Sequence, residues 1–186
     1  MAHRVFLSYR REDSEYIVPQ IFDALVNEFG EDKVFMDVAS TPYGVDFLAH
    51  VTDALHDCEV VLAVMGPDWG PRLKNPGDFV RIEMEMAVKL GLPIIPIFVR
   101  GMKKVPGDLL PESLRSLTYL HGSSFRMGRD RSGDLKHITG AVKSVLQRAE
   151  EARKAEEARK AEEARKAEEA RKAEEARKAE EARKAE

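Results

Sequence analysis

One acidic side chain, Glu83, is the strongest candidate for a catalytic group because of the helix that is expected to carry it. The segment from Asp78 to Gly91 has apolar residues three or four positions apart, which predicts an amphipathic helix. These residues are Phe79, Ile82, Met86 and Leu90. Glu83 lies beside this apolar face, whereas Glu85 points about 200° away around the axis, so the two cannot form an acid–base pair. On the helix alone, a solvated carboxylate is the simpler interpretation of Glu83.

Polar residues follow the strand that is predicted at Arg4–Ser8. The first of them are Tyr9, Arg10 and Arg11. Ligands bind at the carboxyl ends of strands in open parallel sheets, so this segment is a candidate for ligand contacts. A second loop, from Asp37 to Phe47, follows the next predicted strand, and Pro42 and Gly44 are suited to its turn.

A third loop, from Gly66 to Pro71, follows a near-continuous apolar strand that is predicted at Glu59–Met65. Its glycines and prolines lack the spacing of a dinucleotide or phosphate fingerprint, so we expect no P-loop or Rossmann site there. Trp69 lies in this loop. The sequence favours equally a ring that covers the sheet edge and a ring that stacks on a ligand.

Strand and helix patterns alternate five times over residues 1–148, which we interpret as one domain. This alternation predicts an α/β fold, a flavodoxin-like, doubly wound, five-stranded parallel sheet. Apolar residues every four positions predict a helix at Glu15–Phe29, with Ser14 as its N-cap. A further helix is predicted at Val45–His56, with Phe47, Leu48, Val51 and Leu55 facing inward, and a weaker fifth strand is predicted at Leu117–His121.

The last part of the chain, residues 149–186, repeats the hexapeptide AEEARK six times. Its residue types are strong helix formers, and each Glu has a cation three or four positions on, which predicts a long charged single α-helix. The alanines drift around the helix, so no heptad seam forms. We expect a semi-rigid spacer, with a coiled coil as the alternative.

Composition excludes several classes of function. The net charge of -3 argues against an obligatory nucleic-acid or membrane partner. The single cysteine, Cys58, indicates no disulfide framework and is expected to be a buried small hydrophobe. No apolar segment has the length of a signal or a span, so a cytoplasmic protein is expected. The histidines form no metal-binding motif, and Ser8 lacks the context of a hydrolase nucleophile, so we expect no metal and no serine hydrolase.

Four segments, taken together and in order, resemble the motif boxes of a bacterial Toll/interleukin-1 receptor (TIR) domain. They are FLSYRREDS from Phe6, VFMDVASTPYGVDF from Val34, VMGPDWG from Val64 and DFVRIEMEMA from Asp78. The resemblance covers roughly residues 2–148 and leaves out the repeat. It implies that the chain could act in bacterial defence, signalling or virulence.

Enzymes of this family cleave NAD+ at the nicotinamide–ribose bond, and the resemblance implies the same reaction here, with NAD+ as substrate and no cofactor. The family's catalytic glutamate matches Glu83, four residues after Phe79, where relatives often have Trp. Residues that would contact the substrate are Ser8, Tyr9, Arg10, Arg11, Asp37, Gly44, Phe47, Trp69 and Phe79. The two arginines would hold the pyrophosphate. Self-association and binding to other TIR domains are also implied, and a non-catalytic interaction module is the alternative function.

Overall fold

A five-stranded parallel sheet forms the centre of the domain. The computed structural model describes residues 4–36, 46–128 and 130–184, without the side chains of residues 47 and 179–182. The strands are β1 (Val5–Ser8), β2 (Val34–Met36), β3 (Val60–Met65), β4 (Ile94–Phe98) and β5 (Ser123–Ser124). Their order is β2-β1-β3-β4-β5, and every pair is parallel. This is the flavodoxin-like order, so the predicted fold class is confirmed.

Helices and short turns connect the strands. The helices are α1 (Arg11–Ser14), α2 (Val18–Phe29), α3 (Phe47–Asp57), α4 (Trp69–Arg72), α5 (Phe79–Lys89) and α6 (Arg131–Lys184). Among the residues that the structure describes, three segments are 3₁₀-helical, Glu31–Lys33, Gly107–Leu109 and Glu112–Tyr119. Asp46 caps α3, because its carboxylate accepts hydrogen bonds from the N–H groups of Leu48 and Ala49.

The core lies on both faces of the sheet, as the apolar character of β3 predicts. All six residues of β3 are buried. Alternate residues point to opposite faces, so each face receives three of them. Val61, Ala63 and Met65 pack with α3, α4 and α5, and Val60, Leu62 and Val64 pack with α2 and the first part of α6.

Three local predictions were wrong. The segment predicted as the fifth strand ends a 3₁₀-helix instead, and β5 follows it at Ser123–Ser124. Leu114 and Leu117 are buried and three residues apart, which is the period of that helix. Ser14 is not an N-cap, because its hydroxyl donates to the carbonyl of Arg10 and α2 begins only at Val18. Leu48, expected to face inward, is exposed.

The chain divides into two compact units, Met1–Leu146 and Gln147–Glu186. The second unit is the helical repeat, whose described side chains form ion pairs three and four residues apart. Examples are Lys154–Glu150 at 2.9 Å and Arg159–Glu156 at 2.7 Å. Each such exposed pair contributes little to stability. None of the described helices combines the length and the apolar character that crossing a bilayer requires.

Cys58 follows α3 and lies in the core, where it is 5% exposed. Burial, together with the neighbouring charges of Asp57 and Glu59, raises the pKa of its thiol to about 12. The side chain therefore behaves as the small hydrophobe that the sequence predicted.

Candidate active site

The face of α5 that packs on the sheet differs from the one that the sequence predicted. Its buried residues are Val80, Glu83, Met84 and Ala87. Phe79, expected in the apolar stripe, is 56% exposed. The true face repeats at three and four residues, as a core-facing helix requires, but it includes a glutamate that a count of apolar residues excludes. Glu83 therefore lies within the buried face and not beside it.

Glu83 is 2% exposed and accepts a hydrogen bond from Ser8. The distance from the Ser8 hydroxyl oxygen to Oε2 of Glu83 is 2.6 Å. Ser8 is the last residue of β1, so this contact joins the carboxyl end of a central strand to the first half of α5. A buried carboxylate is costly without such donors, and the serine hydroxyl offsets part of that cost.

Arg10 is fixed by the residue that begins α5. Its two terminal nitrogens each lie 2.7 Å from the carboxylate oxygens of Asp78, and one also approaches the carbonyl of Trp69 at 3.4 Å. The side chains of the pair are 5% and 9% exposed. Asp78 is also the N-cap of α5, because it accepts a hydrogen bond from the N–H of Arg81. The terminal N–H groups of Arg10, which the sequence predicted to bind a pyrophosphate, are therefore occupied by Asp78. Arg11, the second arginine of that prediction, is exposed.

Acidification tests the contribution of the Arg10–Asp78 pair to stability. Burial is the largest influence on the pKa of Asp78 and raises it, but hydrogen bonds from Arg10 and Arg81 outweigh burial and lower the pKa overall. The pair's contribution is complete above the unfolded-state pKa, about 3.9, and is lost as the pH falls through the lower folded-state pKa. Urea denaturation between about pH 5 and pH 2 should therefore show a steeper loss of stability for the parent than for Asp78→Asn. Equal slopes would contradict this expectation.

A cleft of about 220 Å³ opens beside this ion pair, and it brings together four of the predicted substrate-binding residues. They are Tyr9, Arg10, Arg11 and Phe79. Val80 also lines the cleft, one helical turn before Glu83. Glu83 itself is not among the residues that line the cleft, because its carboxylate is buried against the Ser8 hydroxyl. An ion pair between Glu12 and Arg72, at 3.0 Å, lies at the rim.

Trp69 is a predicted site residue that the structure places in the core. The ring of Trp69 is fully buried in the core beside α5, so it covers the end of the sheet and offers no face to a ligand. Its indole nitrogen has no hydrogen-bond partner among the described residues. Asp37 and Gly44 lie outside the described residues, and so does the side chain of Phe47, whose backbone begins α3.

Asp13 is a buried polar residue that the sequence did not single out. Its carboxylate accepts a hydrogen bond from the N–H of Asp68 at 3.1 Å and supports the loop after β3. Burial raises the pKa of Asp13, although the bond from Asp68 opposes that effect. The sequence indicated a role for Asp13 only by its position in the polar segment after β1. The spacing of apolar residues could not show that this side chain is buried.

The backbone of Gly66 lies very close to the side chain of Asp13. A Cβ atom at Gly66 would lie 2.6 Å from Cγ and 2.7 Å from Oδ1 of Asp13, which is too close for either side chain to remain in place. We therefore expect Gly66→Ala to lower the free energy of unfolding by about 1–3 kcal/mol, measured by urea denaturation. Gly133→Ala in α6 is the matched control, because no atom lies within 4 Å of the new methyl group. A Gly66→Ala variant as stable as this control would contradict the steric argument.

The described residues contain no group of three or more His, Cys, Asp or Glu side chains that could hold a metal ion. The residues that line the cleft include the exposed Arg11 and Phe79, whereas Glu83 is buried and is not among them. Glu85 faces away from the cleft and binds Arg81 and Ser113, which lower its pKa, the serine having the larger effect.

The sheet order and the position of the cleft define a flavodoxin-like α/β domain with a polar site at the carboxyl ends of its strands. A family model described as TIR domain matches residues 5–135. The chain therefore belongs to the Toll/interleukin-1 receptor (TIR) domain family. No curated protein matches the chain.

Three solved structures share this fold at low sequence identity. TIR domains of the activated Roq1 resistosome that recognises the effector XopQ are 17% identical, with a TM-score of 0.60, over 75% of this chain and 99% of theirs. The TIR domain of the receptor TRR-2 from Hydra magnipapillata is 20% identical, with a TM-score of 0.51, over 75% and 97%. A TIR-STING receptor from C. gigas is 20% identical, with a TM-score of 0.52, over 74% of this chain but 39% of the receptor.

Proposed function

We propose that this chain is an NAD+ glycohydrolase, which cleaves the nicotinamide–ribose bond and releases nicotinamide with ADP-ribose or a cyclic ADP-ribose product. The observation that carries the proposal is the position of Glu83, one helical turn beyond the residues of α5 that line the cleft. Arg11 and Phe79 supply an exposed cation and an exposed ring at the same cleft. A bacterial source, and a role in defence, signalling or virulence, belong to the same proposal because they rest on the sequence motifs alone.

One carboxylate is sufficient for this chemistry. When the bond between C1′ of the ribose and the pyridinium nitrogen breaks, its electron pair neutralises the positive charge of the nicotinamide ring. The leaving group therefore needs no general acid, unlike that of an ordinary glycoside. The ribose becomes oxocarbenium-like, and the Glu83 carboxylate would stabilise that charge or orient the ribose hydroxyls. Attack by water then gives ADP-ribose and a proton, and attack by a nitrogen of the adenine gives the cyclic product.

The remaining cleft residues divide between binding and positioning. Arg11, which is exposed, would bind the pyrophosphate, and the exposed ring of Phe79 would stack on a flat part of the dinucleotide. Arg10 acts indirectly in this proposal, because it holds the start of α5 through Asp78. When NAD+ is bound, the Glu83 carboxylate must turn from the core toward the cleft. This movement either breaks or retains its hydrogen bond with the Ser8 hydroxyl.

The experiment is an incubation of the full chain with NAD+, in which nicotinamide and ADP-ribose products are separated by chromatography. We expect nicotinamide in amounts that exceed the enzyme. We also propose that copies of the chain associate through their TIR domains, so the rate should rise more than linearly with protein concentration. Release of no nicotinamide at any protein concentration, with or without a crowding agent, would refute the proposal.

The burial of Glu83 favours a second candidate function, a non-catalytic module that binds other TIR domains. A carboxylate that is 2% exposed and bonded to Ser8 fits a structural role as well as a catalytic one. In that case a TIR partner would bind equally to the parent and to Glu83→Gln, and neither would release nicotinamide. Turnover by the parent that Glu83→Gln lacks would exclude this alternative.

A further inference from the structure

A second concave surface lies beside β5, away from the candidate active site. Its volume is about 470 Å³, and it shares no residue with the cleft beside Arg10 and Asp78. It is lined by Phe98, Lys103 and Lys104 and by six residues between positions 118 and 124, which are Thr118, Tyr119, Leu120, His121, Gly122 and Ser124. Small-molecule sites commonly have volumes of about 300–1,000 Å³, so this concavity has a suitable size.

The charged residues that line this surface are all basic. No acidic residue is among those that line it, whereas Lys103, Lys104 and His121 are. In the part of the chain that the structure describes, Lys103 and Lys104 form no ion pair, although many other basic residues of the domain do. Arg4 binds Glu59, for example, and Lys143 binds Glu28. Two adjacent unpaired ammonium groups and an imidazole are the chemistry that an anionic ligand requires.

The backbone at the base of this surface is fixed by close packing. A Cβ atom at Gly122 would lie 2.6 Å from the carbonyl oxygen of Pro96 and 2.7 Å from a ring carbon of Phe98, so only glycine allows this approach. Ser124 pairs with Phe98 in the sheet, so the backbone on the C-terminal side of Gly122 is held against β4. The constrained backbone places the exposed side chains of His121 and Ser124 at this surface, and a ligand would not have to order the chain there.

An exposed aromatic ring lies next to these polar groups. Tyr119 is 88% exposed, and Leu120 beside it is 38% exposed. Both residues line the same concavity as Lys103 and Lys104. An accessible ring next to unpaired cations suits a ligand with a flat apolar part and a phosphate part, because the ring stacks on the first and the lysines bind the second.

We propose that this surface is a second ligand site, which binds a phosphate-bearing small molecule of nucleotide size. The lysines and His121 contact the phosphates, the hydroxyls of Thr118 and Ser124 donate further hydrogen bonds, and Tyr119 stacks on the base. This site is independent of the proposed NAD+ cleavage, because it shares no residue with the cleft near Glu83.

The test is calorimetric titration of the full chain with ADP, inorganic pyrophosphate and adenosine. We expect ADP to bind most tightly, and a Lys103→Gln/Lys104→Gln variant to lose at least about tenfold in ADP affinity, since bonds to charged groups are lost. Lys89→Gln/Lys136→Gln, with the same change in net charge at exposed sites, should bind like the parent. Arg11→Gln separates this site from the cleft, because ADP binding at the second surface survives that change.

Tyr119→Ala tests the aromatic contact separately. It should weaken the binding of ADP and leave that of pyrophosphate unchanged, because only the nucleotide has a base to stack. All of these substitutions are at exposed positions, and circular dichroism will show that each variant is folded. Loss of ADP binding in Arg11→Gln but not in the lysine variant would overturn the proposal. Binding to vesicles of phosphatidylserine but not to ADP would overturn it as well.

Discussion

Replacing Glu83 with glutamine is expected to lower the rate of nicotinamide release on the order of 10²–10³-fold, as the loss of one electrostatic contact in a transition state commonly does. The amide has the shape of the carboxylate and can still accept the hydrogen bond from the Ser8 hydroxyl. It cannot stabilise the positive charge that develops on the ribose. The loss should therefore fall on kcat, with little change in KM, because the charge exists only in the transition state.

Glu85→Gln is the matched control for this result. It removes the same charge from the same helix, but Glu85 binds Arg81 and Ser113 and does not approach the cleft. Its rate of nicotinamide release should remain within about twofold of the parent's, and the loss of its partly buried ion pair with Arg81 should cost on the order of 1 kcal/mol of stability. If Glu83→Gln releases nicotinamide as fast as Glu85→Gln, Glu83 has no catalytic role.

Arg10→Met is expected to give the largest loss of stability, about 3–5 kcal/mol, because it leaves the buried charge of Asp78 without a partner. Both side chains are nearly closed to solvent, so water screens the pair little. Nicotinamide release should also fall, since Arg10 fixes the N-terminus of the helix that carries Glu83. Urea denaturation gives the first quantity, and chromatography gives the second.

A double variant, Arg10→Met/Asp78→Asn, distinguishes the loss of the pair from general damage to the fold. Asparagine is also a good N-cap, so it can keep the bond to the N–H of Arg81 while removing the unpaired charge. The double variant should recover much of the stability that Arg10→Met loses. Arg4→Met breaks a half-exposed pair with Glu59 and should cost less than about 1 kcal/mol. Similar losses for Arg4→Met and Arg10→Met would contradict the argument from burial.

The sheet could be predicted from the sequence because its strands are buried on both faces. Segments such as the one at β3 are almost entirely apolar, and only a parallel sheet covered by helices buries such strands completely. Alternation with helical periodicity then leaves few possible topologies. The flavodoxin-like order was the expected one among these topologies, and the observed strand order agrees with it.

The details of the site could not be predicted in this way, because they depend on pairs of residues far apart in sequence. Glu83 is buried because Ser8, 75 residues earlier, donates to it. Arg10 is buried because Asp78, 68 residues later, accepts from it. The spacing of apolar residues predicted the wrong buried face for α5. It placed Phe79, which is exposed, in the core and excluded Glu83, which is buried.

The fifth strand was misplaced for a different reason. The residues from Leu117 to His121 have the apolar character of a strand, but Leu114 and Leu117 are buried at the spacing of a 3₁₀-helix. The strand that forms, Ser123–Ser124, has only two residues and no apolar pattern. Gly122 allows it to form, because the absence of a side chain lets the backbone approach β4.

The buried thiol of Cys58 has a practical consequence for redox chemistry and labelling. The chain has one cysteine, and its pKa of about 12 leaves almost no thiolate at neutral pH. Since the thiolate is the nucleophile that attacks peroxide and maleimides, the native protein is expected to resist both reagents. A cysteine introduced at an exposed position would then be the one reactive thiol of the folded chain, so a fluorescent probe could be attached there without removing Cys58 from the core.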